Sequence, residues 1–308
     1  MEAVAAPRPR GRRWRHVSER RGFLATFLIS PAVIFIGALV GGPLVLAIYL
    51  SFTNATAGSL SGKYVGLANF RAEIHNPVFV DAVWHTFLFT VISQAIVILC
   101  AGLLAHALIR SFRGRWILRF FILLPWAAPV ALTTISFLWF LDSTNGVFNW
   151  ILRELHLIGS SPPNWLGTPR NAMTSIIAVQ AWRIVPFATV IFLAGIASIP
   201  KEVDDAAAID GATGLKKFWY VSLPLQLPIA TVALLFGIVF TATDMVVVYI
   251  LTNGGPFNST QVLTTWAFAT GIQSGSTGEG AAVSLFLLPV LAFVAIGMLV
   301  FARRVEVS

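Results

Sequence analysis

The chain has 308 residues, of which 57% are hydrophobic and only 11% charged, with a mean hydropathy of +0.81. A soluble domain carries about 25% charged side chains, so this composition excludes water as the solvent for most of the surface. The net charge of +8 clusters beside apolar stretches, which points away from nucleic acid and toward a membrane boundary rich in anionic lipid.

From the N-terminus, residues 1–21 hold seven arginines together with Pro7 and Pro9. Such a segment cannot bury enough apolar surface to fold and reads as a disordered, basic cytoplasmic tail lying against membrane lipid. Residues 22–308 read as a single transmembrane domain. Charge-poor stretches place spanning helices at about 23–50, 82–109, 117–141, 171–198, 224–252 and 280–302. Each can cross a hydrocarbon core of roughly 30 Å at about 1.5 Å per residue. The first is far longer than the apolar core of a cleavable signal peptide, about 7–15 residues, and is read as a span. Asn253, Gly254, Gly255 and Pro256 end the fifth span and open a polar loop. The expected fold class is all-α, a polytopic integral membrane protein with six transmembrane helices.

Lys and Arg set the orientation, because positively charged loops stay in the cytoplasm. With the N-terminus inside, sixteen of the 21 basic residues fall on the inner side, among them Arg110, Arg113, Arg115, Arg119, Lys201, Lys216, Lys217, Arg303 and Arg304. Lys63, Arg71, Arg153 and Arg170 fall outside, and Arg183 lies within a span. Both the N- and C-termini are accordingly expected in the cytoplasm.

The single cysteine, Cys100, lies inside the second span, so no intrachain disulfide and no cysteine metal site is expected. The five histidines are scattered and form no His-Glu-x-x-His pair. His85 and His106 are read as packed at helix interfaces. Residues Gly211 to Lys217 imitate a phosphate-binding loop but lack its Gly-Lys-Ser/Thr end. The chain is expected to be no enzyme, with no metal and no cofactor of its own.

The segment 199–223 reads as a short helix, a glycine turn and a second short helix. Pro200 suits a first helical turn, and Glu202, Asp204 and Asp205 complement the positive end of the helix dipole. Gly211 and Gly214 end that helix and permit a reversal before Pro224 opens the fifth span. Ala206, Ala207, Ala208, Gly211 and Ala212 are all small, a surface that another protein can approach closely.

This segment resembles the EAA signature of permease subunits from binding-protein-dependent ABC importers. The pattern is met by Asp205, Ala206, Ala207, Asp210, Gly211, Ala212, Val221, Leu223 and Pro224, with Asp205 where glutamate is typical and Val221 where isoleucine is typical. The stretches 43–53, 64–70, 182–187 and 251–256 are similar to ones recurring in the sugar branch that includes the maltose and glycerol-3-phosphate permeases. The resemblance implies a type I ABC importer permease fold in the cell (inner or plasma) membrane of a prokaryote. It also implies that 199–223 is a coupling helix seated on a cytoplasmic ATPase. Two such ATPase subunits would bind ATP and Mg. A second homologous permease subunit, in a heterodimer, and an extracytoplasmic solute-binding protein would complete the machine. The implied function is import of a carbohydrate or related polar solute of sugar, oligosaccharide or glycerol-phosphate type.

Arg183 and Asp244 are the charged side chains well inside predicted spans, where a charge costs about 2.5–3.5 kcal/mol on insertion scales. Two readings stand: they pair with each other, or they contact solute. Trp139, Gln180, Trp182, Thr243 and Tyr249 supply the aromatic faces and hydrogen-bonding groups that line sugar sites, while aromatic residues also serve as packing and interface belts. Pro125, Pro129 and Pro186 are candidate bends around a cavity. The alternative class, an ion-coupled secondary transporter, would use Asp244 or Arg183 and show internal repeats, of which the sequence shows none.

Overall fold

The computed structural model describes residues 21–59, 61–109, 111–159, 161–212 and 214–307. The expected basic tail therefore lies, apart from Arg21, outside the described residues. All regular structure among the described residues is helical, with one isolated bridge between Thr53 and Tyr64. The chain divides into two compact units, residues 1–49 and 50–308.

In the first unit, helix α1 (Arg21–Ile36) passes through a π-helical turn at Gly37–Gly41 into helix α2 (Gly42–Ser51). Its surface is apolar all round: Phe27, Leu28, Ile34 and Phe35 are exposed alongside Leu39 and Val40. A helix of this kind is stable only where lipid or protein replaces water.

The second unit contains the remaining helices. The short α3 (Ala68–Ile74) precedes the long α4 (Pro77–Ile109). The pair α5 (Arg115–Ala127) and α6 (Val130–Phe140) meets at a bend of 98°. The short α7 (Val147–Glu154) leads to α8 (Pro169–Ala197). The segment after it contains α9 (Lys201–Ile209) and α10 (Gly214–Lys217). Then come α11 (Leu223–Ala242), α12 (Val246–Leu251), α13 (Leu263–Phe268) and α14 (Thr277–Val307). Among the described residues, five helices are long and apolar enough to cross a membrane, and six spans result if the bent pair is one of them.

Three departures from uninterrupted spans have local causes. The third span is not straight, because Pro129 cannot donate a helical N–H and holds an extended ψ of 123° at the head of α6. The fifth span is not one helix from 224 to 252: it breaks between Ala242 and Val246. There Asp244 turns its carboxylate back onto the Val247 N–H at 2.9 Å and starts α12 afresh. The region after Thr252, read as a polar loop, recovers helix at α13 and in a π-helical turn at Ala269–Gln273.

Helices α4, α8 and α11 form the middle of this unit. Ala101, Ala105, Ala181, Ala188 and Ala233 are buried in one cluster with Val97, Ile184 and Phe192, and such small side chains let helix backbones approach closely where lipid supplies no hydrophobic drive. A second cluster joins Phe89, Ile176, Val247, Val248 and Leu251, which fixes α12 against α4 and α8. At the end of the unit away from α9 and α10, the Asn69 amide donates to the Ser51 and Thr53 carbonyls, both at 2.8 Å. There Trp266 Nε1 also donates to Glu73 at 2.8 Å.

Candidate functional site: a coupling segment and an intramembrane polar network

Pro200, with an extended ψ of 143°, is the cap residue before α9 rather than part of its first turn. At the other end Asp210, Gly211 and Ala212 donate backbone N–H groups to Ala206, Ala208 and Ala207 respectively, at 3.0, 3.1 and 2.8 Å. That closure needs the left-handed φ of +72° at Gly211, and nothing lies within 4 Å of where a Cβ would stand. Glycine meets both demands: it takes the reversal without strain and leaves the turn open to approach.

Of the small residues expected on the docking surface, Ala207 and Ala212 are buried within the chain, while Asp205, Ala206, Ala208, Asp210 and Gly211 are exposed. The signature therefore has two faces, one packing the turn and one presenting it. Between the exposed positions stands Ile209, 86% exposed and the most exposed aliphatic side chain among the described residues. Sequence reasoning missed it, because an isoleucine at the end of a helix carries no motif signal. Val221 and Leu223 are half-buried and Pro224 exposed where the segment re-enters the bundle. A π-helical turn at Phe218–Ser222 makes that entry, and its Phe218 ring meets the edge of His106, with centroids 5.2 Å apart, at the end of α4. The segment that follows α8 is thus in ring contact with α4, the longest of the described helices. His85 instead lies 3.2 Å from the Gln261 carbonyl.

Inside the spans, Arg183 on α8 and Asp244 at the break after α11 form an ion pair, with both side chains largely buried. Arg183 also donates to Gln180 Oε1 at 3.1 Å, and Gln180 Nε2 donates to Thr241 Oγ1 at 3.3 Å. Gln94 on α4 donates to the same hydroxyl at 2.7 Å. The main-chain carbonyl of Asp244 accepts from Thr264 Oγ1 at 3.0 Å. Gln180, Arg183 and Asp244 are therefore one network, to which Gln94 and Thr241 belong as well. Gln94 Oε1 and Arg183 Nε are buried without a partner. Buried polar groups of this kind are costly unless something pairs with them.

The other route candidates do not converge on it. Thr243 is exposed and its hydroxyl returns to the Val239 carbonyl. Trp182 packs its edge on Phe137, Tyr249 lies against Phe268, and Trp139 stands 75% exposed near the end of α6. An aromatic group that sequence reasoning did not single out forms instead beside the Ala128–Pro129 bend. Trp126, Phe187, Phe236 and Phe240 pack with centroid separations of 4.9 to 6.0 Å for the pairs Trp126–Phe187, Trp126–Phe240, Phe187–Phe240 and Phe187–Phe236. Trp126 and Phe236 are partly open. Its one sequence signal is the spacing of Phe236 and Phe240, which places both on one helix face.

Comparison with known proteins bears on these features. Residues 98–307 match the family described as binding-protein-dependent transport system inner membrane component. The trehalose/maltose transport system permease protein MalF of Thermococcus litoralis is 30% identical over 266 residues, covering 86% of this chain and 89% of that one. The sulfoquinovosyl glycerol transport system permease protein SmoG of Agrobacterium fabrum is 29% identical over 280 residues, covering 91% and 89%. In fold, the chain is similar to one from the crystal structure of a bacterial ABC transporter involved in the import of the acidic polysaccharide alginate. The TM-score is 0.79 at 20% identity, over 96% of this chain and 99% of that one. An all-helical chain with five or six apolar helices long enough to cross a membrane, matched over nearly its whole length, is a membrane protein, and the chain belongs to the family of inner membrane permease components of binding-protein-dependent ABC importers.

Proposed function

We propose that this chain forms half of the translocation route for a carbohydrate or related polar solute, of sugar, oligosaccharide or glycerol-phosphate type, and is driven by a separate ATPase through residues 199–223. In this reading two cytoplasmic ATPase subunits hold ATP and Mg, a second homologous permease completes the route, and an extracytoplasmic protein delivers solute. The coupling segment and both termini then lie in the cytoplasm. The observation that carries the reading is the outward face of the coupling turn. Asp205, Ala206, Ile209, Asp210 and an open Gly211 are presented together, while the other end of the segment enters the span through the π-helical turn in contact with His106. A partner closing on that face has a short path into α4 and α11, the kind of rigid-body switch that alternates access.

The solute class is supported by the names of the relatives and by the Trp126–Phe187–Phe236–Phe240 group, since aromatic faces stack on the apolar faces of sugar rings. The largely buried ion pair, by contrast, is accounted for by its own hydrogen bonds and serves as structure between helices.

Co-purification from mild detergent tests the coupling. The wild type should carry an ATPase. Gly211→Asp, which places a charge on the open turn, should lose it while remaining folded in the membrane. Gly211→Asn separates charge from backbone strain, because asparagine tolerates the left-handed region about as well as aspartate. A wild-type preparation that never retains an ATPase would sink the proposal.

A further inference from the structure

We propose that the corner between α4 and α5 binds the headgroup of an anionic phospholipid of the cytoplasmic leaflet, of phosphatidylglycerol type, beside the point where α4 meets the segment 199–223. The charge at this corner has one sign. No Asp or Glu occurs from residue 82 to 141 or from 211 to 243, whereas Arg113, Arg115 and Arg119 lie in the first of these stretches and Lys216 and Lys217 in the second. The ring contact between His106 and Phe218 brings the two stretches together. Gly114, at a φ of +85°, turns the chain into α5, and it supplies no side-chain cap to that helix. The N–H groups at the start of α5 therefore add the positive end of a helix dipole to a corner already rich in arginine, an arrangement that suits phosphate.

A cavity of about 470 Å³ opens at the corner, lined by His106, Ala107, Ser111 and Phe112. Two nitrogens there are buried without a partner, Arg119 Nε and His106 Nε2, and buried polar groups in this condition point to a missing group. Arg119 spends another N–H on the Leu108 carbonyl at 3.3 Å, at the end of α4. His106 Nδ1 lies 2.8 Å from the Gly102 carbonyl. A carbonyl only accepts, so the hydrogen of a neutral His106 sits on Nδ1 and Nε2 is left as an acceptor. A phosphodiester that carries a glycerol offers both partners: anionic oxygens for Arg119 Nε–H and free hydroxyls for His106 Nε2.

The occupant is lipid because the basic corner runs directly into an apolar, exposed surface. Trp116 is 74% exposed, and Ile117, Phe120 and Phe121 after it on α5 are exposed as well. On the other side of the His106–Phe218 contact, Trp219 and Tyr220 are exposed. Trp and Tyr beside Lys and Arg at the end of a span match the headgroup region of a bilayer, and basic pockets between spans on the cytoplasmic side hold anionic headgroups. Acyl tails then cover the face of α5 that water cannot. Since His106 is also the ring that Phe218 touches, the headgroup sits at the joint through which movement of the segment 199–223 reaches α4.

The inference rests on the sidedness given in the proposed function, and the test separates the two. A photo-crosslinking phenylalanine analogue is placed at Trp116 or at Ile209 in the assembled transporter, in nanodiscs of phosphatidylcholine with a minor fraction of phosphatidylglycerol. The expected result is phosphatidylglycerol captured from position 116 at about five times its share of the bilayer, the weight of one cationic side chain beside anionic lipid, and the ATPase captured from position 209. Arg113→Gln with Arg115→Gln should return the capture to the bulk share. Arg303→Gln with Arg304→Gln removes the same charge from the end of the last span and should leave the enrichment in place. An excess of inorganic phosphate or soluble glycerol phosphate should leave it too, and competition by either would mark a free-anion site and overturn the lipid site. Capture at the bulk share from the wild type, or capture of the ATPase from position 116, overturns the site while the result at 209 upholds the coupling. Equal loss in both double variants reveals diffuse surface charge and overturns it as well. Position 209 failing to capture the ATPase sinks the coupling reading, and the wild-type enrichment at 116 still decides the lipid site, whether or not either double variant assembles.

Discussion

The side chain of Gln94 fills the notch left by Gly237: a Cβ on that glycine would stand 2.0 Å from Gln94 Oε1 and 2.8 Å from its Cδ. The fit places Gln94 Nε2 on Thr241, one turn further along α11. Helix propensity favours Gly237→Ala by about 1 kcal/mol, but the methyl group must evict a fully buried amide. Leaving that amide and Thr241 without each other costs about 1–3 kcal/mol, so the packing effect wins and Gly237→Ala should lower the melting temperature of the detergent-solubilised protein. Adding Gln94→Ala should remove most of that loss, as coupled neighbours do in a double-mutant cycle. A Gly237→Ala variant as stable as the wild type would mean that the amide has room elsewhere.

The same network predicts an asymmetric response at Arg183 and Asp244. Asp244→Asn keeps an oxygen for the Val247 N–H, so the cap survives while the charge goes. The Arg183 guanidinium is then left largely buried with Gln180 as its remaining hydrogen-bonded partner. Removing one member of a buried pair costs about 3–5 kcal/mol, and neutralising both costs far less. Asp244→Asn should therefore reduce membrane yield and thermal stability more than the double variant Arg183→Gln with Asp244→Asn. Equal losses in the single and double variants would show that the pair is uncoupled.

These two contacts also show where sequence reasoning stops. Spans are legible because a charge-free stretch has few alternatives to lipid. The segment 199–223 is legible because glycine and proline mark its turns by chemistry alone. What Asp244 does is not legible, because a mid-span carboxylate has the same signature whether it caps a new helix, pairs with Arg183 or meets solute. Here it does the first two. The bend at Pro129 is announced by the residue but not its 98°, which depends on how α6 packs. Glu73 and Trp266 are 193 residues apart, and no periodicity connects them. Ile209 escapes for a related reason: exposure is decided by everything else in the fold.

Glu73 gives a prediction in pH. It is 3% exposed and accepts from Trp266 at 2.8 Å. Burial pushes its carboxyl above the ordinary value of 4.5, the Trp266 hydrogen bond opposes this, and the nearby Glu279 charge adds to it. A raised folded-state pKa means that the stabilising contribution is complete below 4.5 and is lost as pH rises through the folded value. Glu73→Gln keeps an acceptor for Trp266 and carries no charge. Its melting temperature relative to the wild type should climb as pH increases above 4.5 and then level off. A difference that stays flat from about pH 4 to pH 8, within the range where carboxylates titrate, would show that Glu73 ionises in the fold as it does in water.

The aromatic group beside the bend yields the test of the route itself. Trp126 bridges Phe187 on α8 and Phe240 on α11, with centroids 4.9 and 5.4 Å away. Its position two residues before Ala128 puts it where α5 turns into α6. If solute slides over these rings, Trp126→Ala should lower the amount transported per ATP hydrolysed by about threefold to tenfold, the worth of one aromatic contact at roughly 0.5–1.5 kcal/mol. Trp126→Phe should retain most of it, because a flat face remains. A purely structural role predicts something else: both variants would change thermal stability, and the transport-to-hydrolysis ratio of whatever folds would match the wild type. Counting solute and phosphate in the same proteoliposomes decides between them, since misfolded protein lowers both counts together and a lost stacking surface lowers only the first.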